Sequence, residues 1–322
     1  MIEILFCLLA GLVIGWSIGA NDAANTMGTS VGSKALTVRQ AIILICIFGT
    51  AGALLQGHHV IKTMGKGIVP LHTLPAKTAL MIAVAASFSA GFWVVVACYR
   101  KLPISTSHSV VGAVAGAGLA VGAPVKWAGL GKIFMCWILT PFGSATLAIL
   151  IYFLFRYFII KVIPDRFSER FLVVLLIASG CYDAYAWGAN DVANATGVMI
   201  GVLKINPIIL AAIGVVAICV GVSTWGYRVM ETVGSRITQL LPIMAVAAQI
   251  GSAINVNVYT VLGIPVSTSH SIVGAVLGVG LIHHAKLVRL SVMAEIVFSW
   301  AITPLIAGAV SFGMIKMVQM VI

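Results

Sequence analysis

Residues 103–118 read PISTSHSVVGAVAGAG, and residues 265–280 read PVSTSHSIVGAVLGVG. The second copy lies 162 residues after the first (103 to 265), and it is not an isolated repetition. GANDAANTMG at 19–28 returns as GANDVANATG at 188–197, an offset of 169 (22 to 191), and WILTP at 137–141 returns as WAITP at 300–304, an offset of 163 (137 to 300). Three motifs in one order at nearly one offset describe a half of about 160 residues that occurs twice. Chance likeness between apolar segments does not explain this, because STSHS and GAND are polar strings in apolar surroundings. The spacing predicts an N-terminal repeat at 1–155 and a C-terminal repeat at 171–322, joined by a short linker at 156–170, RYFIIKVIPDRFSER, the most charged stretch of the chain.

Composition fixes the solvent of these halves. Of 322 residues, 61% are hydrophobic and 8% charged, with a mean hydropathy of +1.13; an ordinary soluble domain carries about 25% charged residues. The windows 4–20, 40–57, 102–125, 133–155, 205–227, 237–285 and 296–315 contain no Asp, Glu, Lys or Arg. Since about 20 apolar residues cross a bilayer as a helix, these windows supply many spans, and 237–285 must hold more than one element. The expected fold is an all-α polytopic protein of the cell membrane, because the strand-period alternation of a membrane barrel is absent. The first apolar run has no basic region before it and is expected to be a retained span.

The net charge of +11, from 19 basic and eight acidic residues, does not predict nucleic-acid binding. The basic residues stand singly between apolar windows, the pattern of loop charges that orient a membrane protein. Those of the linker place it in the cytoplasm. With the N-terminus outside and an odd number of crossings in each half, the two halves become inverted repeats. Cys7, Cys46, Cys98, Cys136, Cys181 and Cys219 have no C-x-x-C spacing and read as small core residues, neither metal ligands nor a disulfide framework.

A carboxylate at membrane depth costs several kcal/mol, which makes Asp22 and Asp191 candidates for function. On a helix Asn21, Asp22 and Asn25 share one side, as do Asn190, Asp191 and Asn194, and together they offer hard oxygens and amide donors. Gly19, Gly28, Gly188 and Gly197 bracket the two clusters, and a break in each helix is expected there, freeing carbonyls as further ligands. The second motif has different chemistry. Pro103 or Pro265, then Ser-Thr-Ser-His-Ser and a Gly/Ala/Val run, predicts an extended approach, a helix N-terminus and a short close-packing helix in a re-entrant hairpin. Free N–H groups, hydroxyls and the positive end of the dipole make an anion site. His108 and His270 read as buried hydrogen-bonding groups rather than ligands.

GAND-x-AN twice, with P-[IV]-STSH in each half, resembles the inorganic phosphate transporter (PiT) family, in its prokaryotic form, over essentially the whole chain. The resemblance implies a sodium- or proton-coupled phosphate carrier with inverted repeats, two re-entrant hairpins and a homodimer in the lipid bilayer, with a proton-coupled phosphate or sulfate permease as the alternative. Carried over by motif, it implies phosphate binding by Ser105, Thr106, Ser107, Ser267, Thr268, Ser269, Asn25 and Asn194. Sodium would be held by Asn21, Asp22, Asn190 and Asp191. The chain departs from animal relatives, which carry an acid where Gly49 stands and Glu-Thr where Lys62-Thr63 stands, although the repeat partner keeps Glu231-Thr232. No role is assigned to Asp183, Glu231 or Glu295.

The residues also say why a cation accompanies the anion. Divalent phosphate beside two carboxylates in a low-dielectric site meets a repulsion that helix dipoles hardly overcome. Sodium suits the carboxylate, amide and hydroxyl oxygens and is the expected coupling ion; protonation of one Asp would serve the same end. Neither a channel nor an enzyme is expected. A channel needs a filter ring, and an active site divides roles among its residues, whereas these polar groups come as equivalent pairs.

Overall fold

The computed structural model describes residues 2–100, 102, 104–162, 165–203, 205–231, 240–284 and 289–321. Within them the first half folds as α1 (Ile2–Gly32), α2 (Val38–Gln56), α3 (His58–Gly67), a 3-10 turn (Leu71–Thr73), α4 (Ala76–Tyr99), α5 (Thr106–Ala120) and α6 (Trp127–Val162). The second half repeats the order as α7 (Asp165–Leu203), α8 (Pro207–Trp225), α9 (Tyr227–Glu231), α10 (Pro242–Val261), α11 (Thr268–His284) and α12 (Leu290–Val321). Most of the expected linker is therefore the end of α6 and the start of α7. Residues 163–164, like Lys101, Pro103, Thr232 and Arg236, lie outside the described residues, as does the side chain of Glu231.

Seven helices, α1, α2, α4, α6, α7, α8 and α12, are long and apolar enough to cross a membrane. The protein is a multi-pass membrane protein. Large apolar side chains stand on its outside, among them Phe142, Leu305 and Leu55, as lipid-facing helices require. α10 has a comparable length but buries Gln249, Ser252, Asn255 and Thr260.

Two close contacts show how the halves are built. Gly91 of α4 faces Ile14 of α1, and seven residues on in each helix Asn21 Nδ2 lies 3.5 Å from Cys98 Sγ, so the two helices run parallel. In the same way Ser179 of α7 bonds Gln249 of α10, and Asn190 bonds Thr260, eleven residues on in both. Across the halves the pairing is reciprocal: α1 packs on α8 and α2 on α7, while α5 packs on α12 and α11 on α6.

α1 runs unbroken through GANDAANTMG, and α7 through GANDVANATG, so the expected breaks do not occur. The glycines provide clearance instead. A Cβ on Gly19 would strike the carbonyl of Ile218 in α8, one on Gly188 the backbone of Gly49 in α2, and one on Gly197 the side chain of Met64 in α3. An intact helix also keeps its amides paired where no water can serve them.

α5 and α11 begin inside the protein. Gly122, at φ +71°, closes α5: the amide of Ala123 donates 2.9 Å back to the Gly118 carbonyl, the left-handed stop that glycine favours. The chain then passes the entrance to α4, where the Lys126 amide donates to the Ile68 carbonyl at 2.9 Å. α5 thus leaves on the side from which α4 entered, which makes the segment re-entrant.

Candidate functional site

The polar motifs meet where the N-terminal turns of α5 and α11 face the middles of α1 and α7. Each turn is capped by its own serine: Ser105 Oγ accepts from the His108 amide and Ser267 Oγ from the His270 amide, both at 3.2 Å. The hydroxyls of Ser105 and Ser267 therefore serve their own helices, and the next residues reach the carboxylates. Thr106 donates to Asp22 Oδ2 at 2.7 Å, and Thr268 donates to Asp191 Oδ2 at 2.9 Å.

The third residue of each turn crosses to the other half. Asn25 Nδ2 donates to Ser269 Oγ at 2.9 Å, and Asn194 Nδ2 donates to Ser107 Oγ at 3.0 Å. The serines in turn donate to the opposite approach segment, Ser107 to the Val266 carbonyl at 2.9 Å and Ser269 to the Ile104 carbonyl at 2.8 Å. Ser269 Oγ also lies 3.4 Å from Asp22 Oδ1. Within each helix the asparagine turns back on its aspartate, Asn25 to Asp22 at 3.2 Å and Asn194 to Asp191 at 2.9 Å.

Asn21 and Asn190 hold the approach segments. Asn21 Nδ2 donates to the Leu102 carbonyl at 3.0 Å; Asn190 Oδ1 accepts from the Val266 amide at 3.3 Å while its Nδ2 donates to Thr260 Oγ1 at 3.0 Å. All twelve residues singled out from the motifs are buried together, with Asp22 and Asp191 fully enclosed. The carboxylates receive hydrogen bonds from the neutral groups of Thr and Asn, which do not cancel their charge. The amide oxygens of Asn21, Asn25 and Asn194 are buried without a hydrogen-bond partner. Two helix N-termini, hydroxyl donors, two carboxylates and free amide oxygens can receive an oxyanion and a cation side by side.

The sequence reading missed a second buried set beside this one. Gln249 of α10 donates to the Thr26 carbonyl and to Ser30 Oγ, both at 3.0 Å, and accepts from Ser179 Oγ at 2.6 Å. Asp183, one turn further along α7, is buried with Ser252 of α10 as its bonding neighbour. The signal was present in the hydrophilic positions of α10 and in Asp183, eight residues before Asp191. Glu295 is exposed, and Gly49 lies against the Trp187 ring, which a side chain at this position would have to displace. Ser30 also sits in GTSVG at 28–32, which matches the G-x-S-x-G string of hydrolases. It lies in the last turns of α1, directed at the Leu176 carbonyl 3.5 Å away, and not on a strand-to-helix elbow.

Comparisons with known proteins bear on the family and the fold. Residues 18–311 match the phosphate transporter family. The chain is similar to a protein of Chlamydia pneumoniae provisionally named a phosphate permease, at 32% identity over 95% of this chain and 96% of that one. It is also similar to the chloroplastic inorganic phosphate transporter 2-1 of Arabidopsis thaliana, 31% identical over 92% of this chain and 69% of the plant protein. Among solved structures it resembles one described as the sodium-dependent phosphate transporter, with a TM-score of 0.91, 27% identity and full coverage of both chains.

Proposed function

The chain belongs to the phosphate transporter family, and from that premise we propose that it is a secondary carrier importing inorganic phosphate with sodium as the coupling ion. The observation that carries this reading is the interlocked set of Asp22–Thr106, Asp191–Thr268, Asn25–Ser269 and Asn194–Ser107 contacts. Thr106, Ser107, Thr268 and Ser269, with Asn25 and Asn194, hold the phosphate at the two N-terminal turns, which Ser105 and Ser267 keep capped. Asp22, Asp191, Asn21 and Asn190 supply oxygens to sodium. The amide oxygens of Asn21, Asn25 and Asn194, unpartnered beside the carboxylates, favour a metal cation over a bare proton, since a proton needs one acceptor and sodium needs several; Asn25 and Asn194 turn these oxygens to the cation and their N–H groups to the phosphate. The similarity to a protein described as sodium-dependent supports the same choice.

Phosphate is favoured over sulfate by the carboxylates themselves. Hydrogen phosphate offers a proton to Asp22 or Asp191, whereas sulfate leaves that acceptor unpaired. The test is uptake of labelled phosphate into proteoliposomes under a sodium gradient, then under a proton gradient, each challenged with excess sulfate or arsenate. Sodium-driven uptake blocked by arsenate and not by sulfate is expected. Inhibition by sulfate equal to that by arsenate overturns the substrate, and uptake driven by protons without sodium overturns the coupling ion.

A further inference from the structure

The third repeated motif, WILTP and WAITP, has no part in the contacts described so far. Pro141 lies inside α6 and Pro304 inside α12. Proline has no N–H, so each removes the hydrogen bond that would end on the carbonyl four residues earlier. Those carbonyls belong to Trp137 and Trp300.

Both are taken up by histidines of the hairpin tips. His108 Nδ1 lies 3.1 Å from the Trp300 carbonyl oxygen, and His270 Nδ1 lies 3.0 Å from that of Trp137. A carbonyl oxygen only accepts, so Nδ1 carries the proton in both rings. The rings are crossed as well. His108 stacks on Trp137 with centroids 3.6 Å apart, His270 on Trp300 at 3.7 Å, and the two imidazoles meet edge to face at 4.5 Å. All four residues are buried. Four residues after each histidine a glycine seats the hairpin helix on the same proline, Gly112 on Pro304 and Gly274 on Pro141, where a Cβ would strike backbone.

We propose that the carbonyls freed by Pro304 and Pro141, received by His108 and His270, form a paired latch that fixes both hairpin tips at the phosphate site. The histidines are positioning residues acting through Ser107 and Ser269, their immediate neighbours, and through Ser105 and Ser267, whose caps rest on the histidine amides. Each tip is tied to a helix of the opposite half, and the stacked rings join the two ties. One tip therefore does not shift without disturbing the other.

This inference rests on the phosphate-carrier reading, and its test separates the two. Asparagine places an N–H at the position of Nδ1, and glutamine places one at that of Nε2. His108→Asn and His270→Asn are expected to keep the KM for phosphate within about threefold of wild type, whereas the Gln and Ala variants raise it about tenfold or more, the scale of effect that misplacing a binding group produces. The KM for sodium moves less than the KM for phosphate. Pro304→Ala and Pro141→Ala return a competing N–H to the same carbonyls, so they raise the phosphate KM while thermal stability holds or rises. Hydrogen exchange at Ser105–Ser109 and Ser267–Ser271 reads the latch without transport: faster in the Gln and Pro→Ala variants, unchanged in the Asn variants. Absence of phosphate uptake by the wild type would sink the carrier reading and leave the exchange experiment intact. Restoration by Gln as complete as by Asn, or tip exchange unaltered in the Pro→Ala variants, overturns the latch.

Discussion

Asp22 and Asp191 sit where the fold alone gives a carboxylate no advantage over a neutral polar side chain. Both are fully buried and take hydrogen bonds from neutral side chains, Thr106 and Asn25 at Asp22, Thr268 and Asn194 at Asp191, in a surrounding where an uncompensated charge is expensive. Asp22→Asn and Asp191→Asn keep the oxygen that receives Thr106 or Thr268 and replace the other with an amine facing Asn25 or Asn194. Those amides can turn to meet it, since each has an unused buried oxygen. Protein yield and melting temperature are therefore expected to hold, while sodium-driven phosphate uptake falls below about 1% of wild type, a loss equivalent to about 2.7 kcal/mol at 1.36 kcal/mol per tenfold. Uptake at wild-type rates in either variant would remove the carboxylate from the site. These two residues were legible because a charge in an apolar window is conspicuous. Gln249, Ser30 and Ser179 were not, because a neutral polar residue in a helix commonly bonds within its own helix, and only the fold shows that these three bond one another.

At the scale of elements, the re-entrant helices were readable and the glycines were misread. Proline, Ser-Thr-Ser and a small-residue run specify an approach, a cap and a close-packing helix, and α5 and α11 follow that specification. Gly19 and Gly188 carried two meanings, a helix break or room for a neighbour, and their neighbours, Ile218 and Gly49, are remote in sequence. Periodicity does not choose between those meanings. The packing reading is open to measurement at the hairpins. Gly112→Ala and Gly274→Ala place a methyl against the backbone of Pro304 and Pro141, which has no side-chain freedom to yield. Overpacking of this kind costs about 1–3 kcal/mol. Gly131→Ala in α6 meets nothing within 4 Å and gains helix propensity of about 1 kcal/mol. Melting in detergent should show a clear drop for the first two and none for the third. Equal melting temperatures for Gly112→Ala and Gly131→Ala would mean that α5 does not sit closely on α12.

For the whole molecule, duplication was the plainest message of the sequence, while the relation between the copies needed three dimensions. α1 and α4 run parallel, as do α7 and α10, and the hairpin helices pack on the long helix of the opposite half. Such reciprocal contacts suit two halves related by an axis in the membrane plane, the arrangement that gives a carrier one site reachable from either side. Ala123 and Ala285, the latter outside the described residues, stand at equivalent places in the sequence, 162 residues apart (123 to 285). Inverted halves put them on opposite faces of the membrane, and halves of the same orientation put them on one face. With the basic linker in the cytoplasm, Ala123 belongs outside and Ala285 inside. In a background freed of the six native cysteines, a membrane-impermeant thiol reagent added to intact cells should label Ala123→Cys at once, and Ala285→Cys only after permeabilisation. Labelling of both from outside would sink the inverted arrangement. Labelling of Ala285→Cys alone would keep the inversion and turn the protein over, placing the N-terminus and the loop after α5 in the cytoplasm.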